Sequence, residues 1–369
     1  MKRQTISVEG LREMLEQGKP VTILDVRPAA ERMEWAIPGS THIDAYAALQ
    51  ANDPTVLADV DLPDEGPVVT VCGAGKTSLV AAEQLQARGV PALSLEGGMR
   101  AWSLAWNTAE VPLGDEQVRV IQVRRTGKGC LSYLVGSGGE AAVIDAALDP
   151  AIYLELAKSH QWRIRHVLDT HVHADHLSRG RQLASASGAT YSLPETERVS
   201  VALTSVYDGD VIPIGTVRLK ILHTPGHTPE SATYLLDDQA LFTGDTLFLN
   251  AVGRPDLEAS AGETQHRARQ LYGSLQRLLT LPAETLILPG HTSEPVAFDG
   301  RAIAAGLGEV RQQTKLLSLP EETFVQQLLA RIPPTPPNHQ RIVTFNEGGQ
   351  WPVENPVELE AGANRCAIG

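Results

Sequence analysis

The sequence has 369 residues, of which 42% are hydrophobic and 20% charged, and its formal net charge is -13 at pH 7. This length favours two domains, and the composition excludes a disordered or collagen-like chain. The acidic balance argues against nucleic acid or an anionic membrane as the main partner. We find no signal peptide and no apolar run of membrane-spanning length, and the three widely spaced cysteines favour a reducing compartment. We expect a cytoplasmic protein that forms a homodimer.

The first hundred residues predict an α/β domain with a parallel sheet. Buried strands are expected over residues 21–27, 67–73 and 92–98. Residues 76–89 have apolar positions at helical spacing and end at Gly89, so a helix is expected between the second and third strands. Strand, helix and strand in this order are typical of parallel sheets.

After a weakly patterned stretch, residues 118–146 predict hairpin strands. A helix at about 150–160 leads into a strand that ends at a cluster of histidines, and a further hairpin turns at Asp237–Asp238. The tail is predicted to be helical to about Ile332 and then proline-rich and irregular. The expected domains are 1–105, a linker over 106–117, a metal domain over 118–296 and an extension over 297–369 packed on the metal domain.

Four short motifs in the second domain point to a metal centre. THVHADH (170–176), HTPGHT (223–228), TGD (243–245) and PGH (289–291) each follow or end an apolar, strand-like run. Their ligand-type side chains therefore gather along one sheet edge, and imidazole with carboxylate suits zinc or iron. The candidate ligands are His171, His173, Asp175, His176, His227, Asp245 and His291.

In this order, the motifs of residues 118–292 resemble the metallo-β-lactamase fold, which implies an αββα sandwich with the metal at the rim between two sheets. Residues 244–257, GDTLFLNAVGRPDL, resemble the GRxD signature of persulfide dioxygenases, mononuclear iron enzymes that oxidise the outer sulfur of a low-molecular-weight persulfide to sulfite with O2. The resemblance implies one Fe(II) per chain, bound by His171, His227 and Asp245. It also implies a group that orients these ligands or fills a second metal site, namely His173, Asp175, His176 and His291.

The same resemblance implies glutathione persulfide and O2 as substrates. Arg254 is expected to bind or orient the persulfide, with Asp256 bracing its loop, and a structural ion pair between these two is the alternative. Thr228 is a further candidate for substrate contact.

The main competing hypothesis uses the same ligands to hold two metals bridged by Asp245, as in hydroxyacylglutathione hydrolases. That resemblance implies one or two zinc ions and attack of metal-bound hydroxide on a thioester. The segment AVGRPDL stands where those hydrolases have a glycine-rich CGRFFEG-type loop, which favours the dioxygenase.

In the first domain, Cys72 ends a buried strand and precedes a glycine-rich turn and a helix. Backbone N–H groups of such a loop form an anion-holding nest that stabilises a thiolate or a cysteine persulfide. Together with LDVR (24–27), Glu31, IPGS (37–40) and EGGMRAW (96–102), this loop resembles a single rhodanese domain. The resemblance implies that Cys72 accepts sulfane sulfur from a donor, aided by the loop residues Gly73, Ala74, Gly75, Lys76 and Thr77. Lys76 stands in for the arginine usual in such loops.

The two resemblances together predict a bifunctional enzyme in which Cys72 transfers sulfane sulfur and the metal site oxidises the resulting thiol persulfide. A zinc thioester hydrolase with an accessory sulfur domain and a non-catalytic sulfur carrier are the alternatives. Cys130 is predicted to be a buried, unreactive thiol. Cys366, three residues from the end, is expected to be mobile and is assigned no role.

Overall fold

The structure, a computed structural model, describes residues 4–62, 65–114, 117–353, 355–360, 362 and 364–369. Two α/β domains follow one another along the chain, the first with a parallel sheet and the second with two facing sheets. The predicted fold class is therefore confirmed. Among the helices described, none combines the length and the apolarity needed to cross a bilayer.

The first domain is a parallel sheet in the order β1-β5-β4-β2-β3. Its strands are β1 (Thr5–Ile6), β2 (Thr22–Asp25), β3 (Thr41–His42), β4 (Val68–Val71) and β5 (Ala92–Leu95). Its helices are α1 (Val8–Glu16), α2 (Ala29–Glu34), α3 (Tyr46–Gln50), α4 (Lys76–Ala87) and α5 (Gly98–Trp102). All four residues of β4 are buried, as expected of a strand covered on both faces. The Cys72 loop therefore starts at the carboxyl end of a central strand.

The second domain begins with a mixed sheet in the order β12-β11-β10-β9-β8-β7-β6. Its strands are β6 (Asn107–Glu110), β7 (Val118–Arg124), β8 (Leu131–Ser137), β9 (Glu140–Ile144), β10 (Arg163–Leu168), β11 (Thr190–Pro194) and β12 (Thr204–Val206). Part of the predicted linker belongs to this sheet, because β6 pairs with β7 and buries Asn107 and Ala109. The linker is therefore shorter than expected.

A second mixed sheet, in the order β13-β14-β15-β16-β18-β19, faces the first. Its strands are β13 (Val211–Ile214), β14 (Val217–His223), β15 (Ala232–Leu236), β16 (Ala240–Gly244), β18 (Leu286–Pro289) and β19 (Ala305–Gly306), while β17 (Val252–Gly253) pairs separately with β20 (Ala367–Ile368). The predicted hairpin turn lies between β15 and β16, and both Asp237 and Asp238 have the positive φ that a tight hairpin turn requires.

The core of this domain lies between the two sheets. Tyr133 and Val135 from one sheet pack with Leu219, Tyr234 and Phe242 from the other. The outer face of the first sheet is covered by α6 (Pro150–Ser159) and α7 (Gly180–Ser187), and that of the second by α8 (Ala261–Leu278), α9 (Leu307–Gln313) and α10 (Glu321–Ala330). The layers are those of the expected αββα sandwich.

The tail after residue 332 is more ordered than the sequence predicts. Residues His339–Gly348 form helix α11, and Pro356–Leu359 form the short helix α12. Ile342 and Val343 of α11 are buried against the loop that follows β10, and this long-range packing supplies the stability that local spacing does not reveal. The expectation that Cys366 is mobile is wrong, because it directly precedes β20 and is 1% exposed.

Candidate metal centre

The four histidine and aspartate motifs meet at one edge of the sandwich because each begins where a strand ends. The loop with the first motif follows β10, His227 follows β14, Asp245 follows β16 and His291 follows β18. Strands β16 and β18 are parallel neighbours, so their carboxyl ends lie side by side. Every candidate ligand predicted from the sequence is buried here.

The first donor set consists of His171, His227 and Asp245, whose ligand atoms lie within 4.8 Å of one another. Oδ2 of Asp245 is 3.6 Å from Nε2 of His227 and 3.9 Å from Nε2 of His171. Among the described residues, Nε2 of His171 and Oδ2 of Asp245 are buried without a hydrogen-bond partner. Buried polar atoms are rarely left unsatisfied, so this arrangement fits a bound divalent cation.

In His171 and His227 the Nδ1 nitrogen is hydrogen-bonded within the protein, and Nε2 points towards the centre of the donor set. Nδ1 of His171 donates to Oγ1 of Thr170, which in turn donates to Asp145. Nδ1 of His227 donates to the carbonyl oxygen of Arg254, 2.8 Å away. Such contacts fix the tautomer that leaves Nε2 free for a metal.

The protonation states of His171, His227 and Asp245 also favour the binding of a cation. Burial lowers the pKa of His171 well below its ordinary value, and it lowers the pKa of His227. Burial alone raises the pKa of Asp245, but the positive charge of His291, 2.5 Å away, outweighs it and lowers the pKa. Neutral imidazoles and an ionised carboxylate are the forms that bind metals.

A second cluster lies next to the first and contains Cys130, Asp175, His176 and His291. The Asp175 carboxylate is 2.8 Å from Nε2 of His291 and 3.0 Å from Nδ1 of His176. Burial and the Asp175 charge raise the pKa of Cys130, and the two imidazoles outweigh them and bring it to about 6. Burial lowers the pKa of His176, and the charges of Asp175 and Cys130 raise it to about 10.

The ring of His173 lies 4.3 Å from that of His171 and 4.2 Å from that of His176, but its ligand atoms belong to neither cluster. Its Nε2 lies 3.2 Å from Asp145, and it belongs to a separate buried group with Asp145 and Asp169. The loop that carries it is held from the tail, because the amide of Asn346 in α11 donates to the carbonyl oxygens of His173 and His176.

Arg254 is fully buried and its guanidinium makes five hydrogen bonds. Two of them go to the carboxylate of Asp256, and the others go to the carbonyl oxygens of Pro333, Pro334 and Arg365. All its donors are used within the protein, which matches the structural ion pair rather than a substrate contact. Thr228, the other substrate-binding candidate, is 9% exposed, and its hydroxyl is 2.7 Å from that of Ser231.

We expect Arg254→Lys to lower the free energy of unfolding by about 2 kcal/mol, because lysine cannot replace the paired contacts to Asp256 and the three carbonyl oxygens. Urea unfolding and steady-state kinetics of the purified variant check this. The Michaelis constant should stay close to the wild-type value. A tenfold rise in that constant without loss of stability would instead make Arg254 a substrate-binding residue.

A cavity of about 260 Å³ opens beside the metal centre and is bordered by His291, Asn250, Phe248 and the tail residues Asn364 and Ala367. Cys366 lies between those two tail residues in sequence, and its ligand atom groups with those of Asp245 and His291. The backbone N–H of Arg254 donates to the carbonyl oxygen of Cys366. This hydrogen bond connects the tail to the loop that orients His227.

In the Cys72 loop, one backbone N–H and one hydroxyl contact the thiol. Sγ of Cys72 lies 3.2 Å from the backbone nitrogen of Gly75 and 3.3 Å from Oγ of Ser78, and both groups donate to it. Gly75 has φ of 84°, which lets the loop curl directly into α4. Lys76 is exposed and Thr77 buried at the start of that helix.

A cavity of about 370 Å³ lies in front of this loop, between the two domains. The first domain lines it with Gly73 and Ala74 of the loop, and the second lines it with Gly127 and Gly362. Nε1 of Trp35, another lining residue, donates to the carbonyl oxygen of Thr126. The loop that carries Cys72 therefore faces the second domain across a shared cavity, while Cys72 itself is 2% exposed and lies behind the lining residues.

Comparison with known proteins bears on the metal centre directly. Residues 125–291 match the metallo-β-lactamase superfamily. The persulfide dioxygenase ETHE1 of Bos taurus is 32% identical over 205 residues, which cover 54% of this chain and 76% of that protein. The chain belongs to the metallo-β-lactamase superfamily. This metallo-β-lactamase protein also matches the rhodanese-like domain over residues 7–105, so the predicted fusion of the two domains is confirmed.

Relatives of the metallo-β-lactamase domain differ in activity. A hydroxyacylglutathione hydrolase of Methylococcus capsulatus is 38% identical over 159 residues, but the chain spans only 58% of the length of that relative and the match covers 42% of this chain. Among solved structures, a metallo-β-lactamase from Staphylococcus aureus aligns with a TM-score of 0.59 at 29% identity, covering 64% of this chain and 74% of the other. ETHE1 from Myxococcus xanthus aligns with a TM-score of 0.53 at 29% identity, covering 66% of this chain and 99% of the other.

Three residues of this metallo-β-lactamase site were missed by the sequence analysis. Asp145 is the last residue but one of the strand-like run EAAVIDA and directly follows β9, and an acidic residue at the end of a strand was the available signal. Cys130 and Cys366 had no local signal, because the backbone pairings that bring them to the centre join distant parts of the chain.

Proposed function

We propose that this protein oxidises a low-molecular-weight thiol persulfide, with glutathione persulfide as the expected substrate, at the site of His171, His227 and Asp245. The balanced reaction is GSSH + O2 + H2O → GSH + SO3²⁻ + 2H⁺. Iron(II) held by His171, His227 and Asp245 would supply the capacity to bind the substrate sulfur and to activate O2. The observation that carries the proposal is this donor set, buried and with unpartnered atoms facing one another.

The residues around the donor set have defined tasks in this reaction. Thr170 and the carbonyl oxygen of Arg254 keep the imidazoles in the correct tautomer. The cavity beside His291 admits the thiol part of the substrate. The burial of all three ligands excludes bulk water from the reacting sulfur.

Cys72 supplies the persulfide in this proposal. A donor transfers sulfane sulfur to Cys72, and a thiol then takes it in the exchange Cys72–S–SH + GSH → Cys72–SH + GSSH. The N–H of Gly75 and the hydroxyl of Ser78 stabilise the thiolate that leaves. The shared cavity keeps this acceptor thiol next to the metal domain, which raises its effective concentration there.

The deciding experiment uses the full chain purified anaerobically, with iron and zinc counted and glutathione persulfide added in an oxygen electrode. Oxygen uptake with one sulfite per O2 and about one iron per chain supports the proposal. Absence of uptake in the iron-loaded protein contradicts it.

Zinc-dependent hydrolysis of an acylglutathione thioester is the second candidate, favoured by the second cluster next to Asp245. It predicts release of free glutathione from a thioester by the zinc-loaded protein, which the dioxygenase proposal does not.

We expect Cys72→Ser to lower sulfane-sulfur transfer to a thiol by at least about 10³-fold, since the hydroxyl cannot carry the persulfide. Cyanide trapping of transferred sulfur measures this. Oxygen uptake with added glutathione persulfide serves as the internal control and should stay within about twofold, the scale of a substitution outside a site. Undiminished sulfur transfer would remove Cys72 from the reaction.

A further inference from the structure

A further cavity lies at the junction of the two domains, and neither proposed reaction uses it. Its volume is about 440 Å³, compared with about 260 Å³ beside His291 and about 370 Å³ in front of the Cys72 loop, and among the described residues it shares no lining residue with either of them. Helix α1 of the first domain, helices α6 and α7 of the second, the segment before β6 and the tail all contribute to its walls. Cavities of this size at a domain junction are typical of small-molecule sites.

Two tryptophans and two arginines stack in pairs on the walls of this cavity. The guanidinium carbon of Arg12 lies 4.5 Å from the centre of the Trp106 ring, and that of Arg179 lies 4.9 Å from the centre of the Trp351 ring. Such cation–π contacts hold both the ring and the guanidinium in place. Trp351 is nevertheless 42% exposed, and Leu104, which also borders the cavity, is 38% exposed. Large apolar side chains that line an open cavity give it an affinity for the apolar body of a ligand.

The two arginines differ at the edge of the guanidinium that binds a carboxylate side-on. In Arg12, Nε and Nη2 both donate to the carboxylate of Glu9. In Arg179 only Nη1 donates, to the carbonyl oxygen of Leu177 and to Glu360, and Nε and Nη2 have no partner among the described residues. Because stacking on a ring occupies the face of a guanidinium, the edge formed by Nε and Nη2 remains open to a ligand. Two parallel N–H···O bonds from such an edge give arginine its specificity for carboxylates.

The charges around Arg179 also favour an anion. Its side chain is 7% exposed, and the carboxylate of Glu360 that it contacts also pairs with the fully buried Arg125. Two buried guanidiniums thus share one carboxylate, and a further negative partner would stabilise the positive charge of Arg179. The carboxylates of Glu9 and Asp149 also line the cavity, and they repel ligands that carry several negative charges. The cavity therefore suits a ligand with one anionic group.

We propose that this cavity binds a small molecule with a flat apolar body and a single carboxylate. The carboxylate accepts hydrogen bonds from Nε and Nη2 of Arg179, and the apolar body packs against Trp106 and Trp351. Since the walls come from both domains, binding stabilises the contact between them and raises the melting temperature of the protein. This inference goes beyond the proposed function and holds for either reaction of the metal centre.

The probe is 2-naphthoate, and its neutral isostere 2-naphthamide is the matched control, each titrated into the full chain and followed by calorimetry. We expect one 2-naphthoate per chain, with a dissociation constant at least about 10-fold lower than that of 2-naphthamide, because the amide lacks the negative charge and one of the two acceptor oxygens. Saturating 2-naphthoate should also raise the melting temperature. Absence of 2-naphthoate binding, equal affinity for the two compounds, or an unchanged melting temperature overturns the proposal.

Substitutions test whether the probe binds in this cavity. Trp351→Ala should raise the dissociation constant of 2-naphthoate about 10-fold, whereas Val353→Ala, at a fully exposed position two residues further on, should leave it unchanged. Arg179→Lys keeps the positive charge but has no two-nitrogen edge, so it should lose most of the preference for 2-naphthoate over 2-naphthamide. Circular dichroism verifies that each variant is folded, and the two compounds test the wild-type protein even where a variant is not. Unchanged 2-naphthoate binding by folded Trp351→Ala or Arg179→Lys overturns the proposal. Oxygen uptake is measured separately, so failure of this inference and failure of the proposed function are distinguishable.

Discussion

Asp245→Asn is expected to empty the first metal site and to abolish oxygen uptake. The carboxylate supplies the negative charge of the donor set, and its Oδ2 is the atom that faces both His171 and His227. Loss of residues that merely orient a ligand costs about 10–100-fold in metal affinity, so loss of the charged ligand itself should cost at least about 100-fold. Metal content after dialysis and oxygen uptake at saturating iron measure the two effects.

Asp238→Asn is the matched control for this variant. Asp238 lies in the turn of the same hairpin, is exposed, and adopts a positive φ that asparagine tolerates. The control should keep both metal and activity. An Asp245→Asn protein that retained its metal after dialysis would show that Asp245 is not a ligand.

The place at which the candidate ligands meet could be predicted because each of them lies in sequence next to the strand that carries it. Residues such as Asp245 and His291 follow short apolar runs, and runs of this kind form strands whose ends meet at one edge. The Cys72 loop is local in the same sense, since its strand, glycine turn and helix are contiguous. Where a reactive residue and the strand or helix that positions it are close in sequence, the spacing of residues is enough to predict the site.

Long-range pairing could not be predicted in this way. Cys366 reaches the centre because β20 pairs with β17, more than a hundred residues earlier, and neither two-residue strand has a pattern of its own. Arg254 shows the same limit. The sequence left two interpretations of Arg254 open, a role at the substrate and an ion pair with Asp256. Three of its partners are carbonyl oxygens of the distant tail, which only the fold brings within reach.

The tail and the segment from Thr126 to Cys130 together join the two sites. Gly127 and Gly362 line the cavity in front of Cys72, while Cys130 and Cys366 lie at the metal centre. Two short stretches of chain thus contact both candidate sites. We therefore expect a change in the contact between the domains to alter the geometry of the metal centre. Glu360 of the tail fixes the two stretches to each other, because its carboxylate pairs with Arg125 and its carbonyl oxygen accepts from Nζ of Lys128.

Glu360→Gln is expected to lower the free energy of unfolding of the second domain by about 3–5 kcal/mol. The carboxylate is buried in an ion pair with Arg125, 2.8 Å away, in which both side chains are inaccessible, and it also pairs with Arg179. The neutral amide leaves the positive charge of Arg125 buried without compensation. Urea unfolding followed by circular dichroism measures the loss.

Glu358→Gln provides the matched control. The side chains of Glu358 and Arg100 form an ion pair in which each is 55% exposed, and such a pair should contribute about 0–1 kcal/mol to the free energy of unfolding. The pH dependence of the free energy of unfolding also distinguishes Glu360→Gln from Glu358→Gln. Burial alone raises the pKa of Glu360, but Arg125 and Arg179 lower it to about 2, below the ordinary value of 4.5. A lowered pKa in the folded state means that the stabilisation is present above pH 4.5 and is lost as the pH falls towards 2. The difference in the free energy of unfolding between wild type and Glu360→Gln should therefore become smaller as the pH falls over that range. If Glu360→Gln lowered the free energy of unfolding at neutral pH by no more than Glu358→Gln does, the assigned role of this ion pair would be contradicted.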